Sequence, residues 1–159
     1  MNGDLRLVNR QKSRAVDLRM MRKAVRTLLE TLLGLDDFDL TICLVGEKKM
    51  ARLNEAILGH QGSTDVITLD YENLRGSSGM SGELFVCVDE AILQARRYRA
   101  SWQEELVRYI VHGSLHLLGH DDHAAAKRKK MKSEESRLVR KLAASFDLRK
   151  LQRKIKLRA

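Results

Sequence analysis

Apolar positions along the chain follow two periods, and the places where the period changes divide it into short elements. LRLVN at 5–9 reads as a short strand. From about Ala15 to Leu33 the residues Val16, Met20, Val25, Leu28, Leu29 and Leu32 fall at helical spacing and predict a first helix, stopped by Gly34. DFDLTICLVGE at 37–47 reads as a strand and EKKMARLNEAIL at 47–58 as a helix ending at Gly59. STDVITLDY at 63–71, rich in β-branched residues, reads as another strand. GSSGMSG at 76–82 has the composition of a flexible loop. GELFVCVD at 82–89 is the most strand-like segment, with Leu84, Val86 and Val88 on one face and Phe85 and Cys87 on the other. Both faces are apolar, as in an interior strand. The helical period returns from Glu90 through QARRYRA. It returns again in SWQEELVRYIVHGSLHLLG at 101–119, where Ser101 is placed as N-cap with Glu104 at the third helical position. A short polar turn follows, then a basic helix from about Ala124 towards Ala144 that can continue past Asp147 as a frayed basic end.

Strands interspersed with helices predict an α+β fold: one compact domain, a mixed sheet of about four strands packed with helices, a metal-binding helix-turn and a basic C-terminal helix. The strand order does not follow from the pattern. At 159 residues, 43% of them hydrophobic, the chain supports one core and is too short for two ordinary domains. Residues 1–145 read as that domain and 146–159 as a basic C-terminal extension whose order the sequence leaves open. With 4% aromatic residues the core is aliphatic. No apolar run approaches the roughly 18–20 residues of a membrane span, and the first residues lack the apolar stretch of a secretory signal, so a cytoplasmic protein is expected. Cys43 and Cys87 stand alone in apolar segments and read as reduced core residues.

Charge changes the picture. Residues 1–123 carry 16 Lys and Arg against 18 Asp and Glu, whereas residues 124–159 carry 14 against 3, so the net +9 is essentially one basic tail. A localised cation cluster points to a polyanion, RNA, DNA or ribosome, in preference to acidic lipid, because no amphipathic aromatic anchor accompanies it.

Four of the five histidines lie in HGSLHLLGHDDH at 112–123. His112 and His116, four apart on the predicted helix, project from one face and can bind one metal ion. Gly119 ends the helix, and Asp122 three residues on can be carried back to the same point. Two imidazoles and a carboxylate leave a coordination position for water, which marks a catalytic rather than a structural site. His123 is the alternative third ligand: imidazole is the better zinc donor, although it needs one more residue in the turn. His120 and Asp121 read equally as supporting partners or as exposed turn residues. A zinc peptidase of the His-Glu-x-x-His type carries a glutamate directly after the first histidine, and here that place is Gly113, so peptide hydrolysis lacks its base. Attack of zinc-bound water on a phosphodiester needs no such glutamate.

These residues resemble the YbeY family of bacterial zinc endoribonucleases that mature ribosomal RNA. HGSLHLLGHDD at 112–122 is similar to the family signature, with Asp122 where the family usually has a third histidine. STDVITLDY at 63–71 is similar to its Pro-Thr-Asp-Val-Leu-Ser-Phe segment, and GELFVCVDEA with QARR to a strand and the helix after it. The resemblance covers about residues 40–135. It implies an α/β domain holding one zinc ion per chain through His112, His116 and a third ligand. The implied activity is a single-strand-specific endoribonuclease that processes the 3′ end of small-subunit ribosomal RNA and serves late ribosome quality control. The implied partners are ribosomal RNA and the ribosome, with no membrane and no organic cofactor. Glu83 stands at an acidic position of the family's strand, where it can support the metal site, serve as a base, or be simply a strand-end acid. The family's Leu-Asn-x-x-Tyr-Arg segment carries an arginine, and LNEAIL places Leu58 there, so that role is empty or moved.

Lys127, Arg128, Lys129, Lys130 and Lys132, just after the metal turn, are the candidate RNA-binding residues. Thr64 and Asp65 read as a turn pair that can shape a groove wall, and Trp102, the sole tryptophan, as core. The competing class is a non-catalytic zinc-containing ribosome-assembly factor whose basic helix docks on RNA.

Overall fold

A computed structural model describes residues 3–71 and 79–154. The strands are β1 (Gly3–Arg10), β2 (Phe38–Val45), β3 (Val66–Asp70) and β4 (Met80–Cys87), arranged in the order β1-β2-β4-β3. β1, β2 and β4 run parallel, and β3 pairs antiparallel with β4, which gives the mixed sheet of the α+β reading. Five helices accompany it: α1 (Leu18–Arg26), α2 (Glu47–Leu53), α3 (Val88–Tyr98), α4 (Trp102–Leu117) and α5 (Ala125–Ser145). α1 and α2 each widen at their C-terminal end into a π-type turn, Thr27–Leu32 and Asn54–Leu58.

Strand alternation divides the side chains between two layers. Leu40, Ile42 and Leu44 of β2 and Leu84 and Val86 of β4 join one large core with Leu28 and Leu29, with Leu106 and Ile110 of α4, and with Leu138 and Leu142 of α5. The other face carries a smaller cluster, Cys43, Val45, Met50, Ile67 and Cys87, against which Leu69 and Phe85 pack. Both cysteines are free and buried, as the sequence reading expects. Trp102 belongs to the large core at 9% exposure.

Two expectations need correction. The segment read as a loop at 76–82 falls partly outside the described residues at 76–78, and its end, Met80–Gly82, is the start of β4. Small residues stand there because backbone and helix come close: a Cβ on Gly82 would lie 2.5 Å from the Leu69 carbonyl oxygen and 2.6 Å from Leu117 Cδ2. Val88, expected to extend the strand, instead opens α3. Gly82→Ala is therefore expected to destabilise the fold by about 1–3 kcal/mol, read as a lowered denaturant midpoint, because it overpacks a site walled by backbone.

After α5 the chain makes a 3-10 turn, Leu148–Leu151, whose Leu148 and Leu151 are buried in the large core. Residues 155–159 of the expected C-terminal extension lie outside the described residues. Among the described residues no helix is long and apolar enough to cross a membrane.

Candidate metal centre

α4 positions the two histidines. Its N-terminus is capped by Ser101, whose Oγ accepts from the Glu104 amide at 3.2 Å, and the helix then runs unbroken through His112 and His116. At its end Gly119, with φ +93°, reverses the chain while its amide bonds to His116 O and that of His120 to Leu115 O, both at 3.0 Å. This is the Schellman arrangement that a left-handed glycine permits. The turn brings Asp122 back over the last turn of the helix.

The resulting constellation is tight. His112 Nε2 and His116 Nε2 lie 3.1 Å apart, with Asp122 Oδ2 at 3.5 Å from the second and 3.9 Å from the first. Donors held at about 2.0–2.2 Å from a tetrahedral zinc ion lie about 3.4 Å from one another, so the three spacings fit that geometry. His123 is not in this group: its side chain is 93% exposed, its ring nitrogen lies 3.9 Å from Asp121, and it gathers instead with Asp121 and Asp122 at the surface. Asp121 in turn accepts from the His123 amide at 2.8 Å and shapes the turn, whereas His120 supports the site through its carbonyl.

The other ring nitrogens decide the protonation. His116 Nδ1 faces His120 O at 3.1 Å, and a carbonyl can only accept, so this nitrogen carries the proton. His112 Nδ1 faces Glu135 Oε1 at 3.0 Å, and the carboxylate likewise accepts. With both rings neutral, the form that binds a metal, the two Nε2 atoms and the Asp122 carboxylate turn toward one shared point. Such a cluster is satisfied by a cation. Glu135 also raises the His112 pKa above the usual histidine range through this hydrogen bond, against the opposing effect of burial.

Glu135 was not a sequence candidate. It sits on α5 at 7% exposure, held between His112 and Arg108, whose guanidinium lies 3.5 Å from Oε2. The missed signal was local: Met131, Glu135, Leu138 and Leu142 share the buried face of α5, so an acid occupies an apolar position of an amphipathic helix.

His112 and Asp122 open into a cleft of about 540 Å³. Asp65, Glu90 and Glu105 lie along its lining, as do Arg128 and Lys132 from the start of α5. Thr64 and Asp65 thus line the cleft wall. Burial raises the Glu105 carboxyl above the usual carboxylate range, and burial followed by the nearby Glu105 and Asp65 raises the Tyr109 phenol. Of the proposed RNA-binding residues, Arg128 and Lys132 line the cleft, and Arg128 also donates to the carbonyls of Asp122 and His123 at 3.0 and 3.3 Å. Lys127 lies 3.9 Å from Asp121, while Lys129 and Lys130 are exposed outside the lining.

Glu83 is not brought to the histidines. It pairs in register with Leu69, whose side chain packs on the smaller cluster, so it projects from the sheet face opposite α4, and it accepts from the Tyr71 hydroxyl at 3.0 Å. Its strand neighbour Leu84 takes the α4 side, against Gly113. Leu58, at the family's arginine place, is 49% exposed and lies outside the cleft lining.

A family model described as Endoribonuclease YbeY matches residues 6–143. The chain is 36% identical over 134 residues to the endoribonuclease YbeY of Chlorobium phaeovibrioides, covering 82% of this chain and 86% of that protein. It is 30% identical over 138 residues to the protein of the same name from Chlorobium phaeobacteroides, covering 87% and 96%. A solution structure from Thermotoga maritima matches with a TM-score of 0.65 at 22% identity, covering 92% of this chain and 93% of that one, and so shares the fold.

Proposed function

Since the chain belongs to the YbeY endoribonuclease family, we propose that it is a zinc-dependent endoribonuclease acting on single-stranded RNA, with its role in maturing the 3′ end of small-subunit ribosomal RNA and in ribosome quality control. The observation that carries the metal part is the convergence of two imidazole Nε2 atoms and the Asp122 carboxylate, each imidazole oriented by an acceptor on its far nitrogen. His112, His116 and Asp122 would hold the ion. Zinc bound there supplies a Lewis acid for a phosphodiester and lowers the pKa of water.

The remaining residues orient the substrate. Asp65, Glu90 and Glu105 repel a phosphate backbone from their part of the cleft, and Arg128 and Lys132 attract it, so the strand is drawn in along the start of α5. Gly113 stands where a peptidase of the His-Glu-x-x-His type has its glutamate and is required for packing, since a Cβ there would lie 2.7 Å from Leu84 Cδ2.

The test compares wild type, Asp122→Ala and His123→Ala for zinc content and RNA cleavage. Zinc at one equivalent per chain and zinc-dependent cleavage are expected in wild type and His123→Ala, and both lost in Asp122→Ala. Tight RNA binding with zinc present but no cleavage by pure wild type would instead establish the non-catalytic assembly factor.

A further inference from the structure

The basic character of the chain is not confined to the metal cleft. α5 begins there, with Arg128 and Lys132 in the lining, and its 21 residues carry it about 30 Å away. Met131, Leu138, Val139 and Leu142 are turned inward, and the outward side carries Lys129, Lys130, Arg137, Arg140 and Lys141. Glu134 is the acid on that exposed side, and it is already bonded to Arg137 at 2.5 and 2.9 Å.

At its far end the helix leads through the 3-10 turn into a second cleft, of about 760 Å³, formed where residues 9–16 meet residues 152–153. The two segments are joined by backbone: Asp17 N donates to Leu151 O at 2.7 Å, and Arg153 N to Ala15 O at 2.8 Å. Lys12, Arg14 and Arg153 line this cleft with the uncharged Asn9, Gln11 and Gln152, and no acidic residue is in the lining. None of the three cations forms an ion pair among the described residues.

The cradle is also built before any ligand arrives. Gln11 Nε2 donates to Arg14 O at 2.7 Å and to Asn9 Oδ1 at 2.9 Å, its Oε1 accepts from Arg14 N at 3.1 Å, and Ser13 Oγ donates to Asp89. A loop whose own side chains fix its backbone loses little freedom on binding. Unpaired cations on a fixed loop, with no acid in the cleft lining and a cationic helix face leading to them from the metal cleft, fit a phosphodiester backbone.

We infer that the cleft between residues 9–16 and 152–153 is a second RNA-phosphate subsite, which grips the substrate about 15 Å from the metal site, the ten residues of α4 between Trp102 in its lining and His112. The inference rests on the proposed RNA-cleaving activity and adds to it a length requirement. A dinucleotide, whose single phosphodiester must sit at the metal site to be cut, engages the metal cleft alone, whereas a strand of about 16 nucleotides reaches both.

The test uses full-length zinc-loaded protein and a variant carrying Lys12→Gln, Arg14→Gln and Arg153→Gln, with zinc content and circular dichroism checked against wild type. Trp102 lines the second cleft and is the sole tryptophan, so its emission reports on that cleft directly. The expected result is that the longer RNA shifts Trp102 emission in wild type but not in the variant. The variant binds the longer RNA about 10-fold more weakly, and its slope of log affinity against log salt is shallower by about 2, as for three lost phosphate contacts on a single strand. kcat/KM on the short RNA stays within about twofold. Equal affinity of variant and wild type for the longer RNA overturns the subsite and leaves the RNA-cleaving reading intact. Equal losses on short and long RNA overturn it too, by showing that the substitutions act on the metal cleft. Wild-type protein that neither binds nor cuts either RNA overturns both readings.

Discussion

His116→Ala is expected to yield a folded protein that no longer retains zinc and cuts RNA at least about 10³-fold more slowly while still binding it. The loss corresponds to about 4 kcal/mol of barrier and follows from removing one of three converging donors. The side chain is 28% exposed, so its removal opens no sealed cavity. In the metal-free state the substitution removes only a partly exposed ring that lies 3.1 Å from the His112 nitrogen, so apo stability is expected to change by about 1 kcal/mol or less. Elemental analysis, chemical denaturation without zinc, and RNA binding measured beside cleavage separate these effects. Undiminished cleavage by a zinc-free His116→Ala protein would overturn the metal reading.

Substitution of Glu135 has the second largest expected effect, and it acts through His112. Glu135→Gln keeps an acceptor near His112 Nδ1 but removes the charge, and Glu135→Ala leaves both His112 and Arg108 without their buried partner. Zinc affinity is expected to fall about 10–100-fold in the alanine variant and less in the glutamine variant, as measured by chelator competition. The alanine variant also loses about 1–3 kcal/mol of apo stability, because a half-buried ring N–H is left unsatisfied.

The pH dependence distinguishes the two roles. His112 has a folded-state pKa raised above its unfolded value, chiefly by the Glu135 hydrogen bond. In apo protein the protonated pair therefore contributes stability below the ordinary histidine value, and this contribution is lost as pH rises through the raised one. Zinc needs the unprotonated ring, so wild-type affinity begins to fall at a higher pH on acidification than it does in Glu135→Gln. Identical pH profiles for the two proteins would show that Glu135 does not act through His112.

How far the site could be read from sequence depended on how local each contact is. His112 and His116 share a helix face at a fixed spacing, and Gly119 announces the turn that returns Asp122, so all three are written within eleven residues. Glu135 reaches His112 only because α5 packs back along α4, a register decided by Leu138, Val139 and Leu142 meeting the core. The alternation of β4 was legible, with apolar residues on both faces, but that symmetry hid which face carries α4. Glu83 was accordingly linked to a site from which the sheet separates it. The small residues at Ser81 and Gly82 looked like loop because sequence carries no sign of the Leu69 carbonyl and Leu117 that press on them. Strand order was hidden for a related reason: whether neighbours run parallel is decided by crossovers packing on a common core.

The backbone bonds that join residues 15–17 to residues 151–153 bear on how this protein is made. Leu151, fully buried, meets Met21, Val25 and Leu28, more than a hundred positions earlier, in the same core region as Val107, Ile110 and Leu142. Closing such a long loop is entropically costly and slow, and it waits for the turn at Leu148–Leu151 to leave the ribosome. Until then α1 lacks part of its cover and the loop at 9–16 has no partner segment. A nascent chain halted before Leu151 would thus present an open apolar seam to chaperones and proteases, and synthesis through residue 153 is the step that lets this core close.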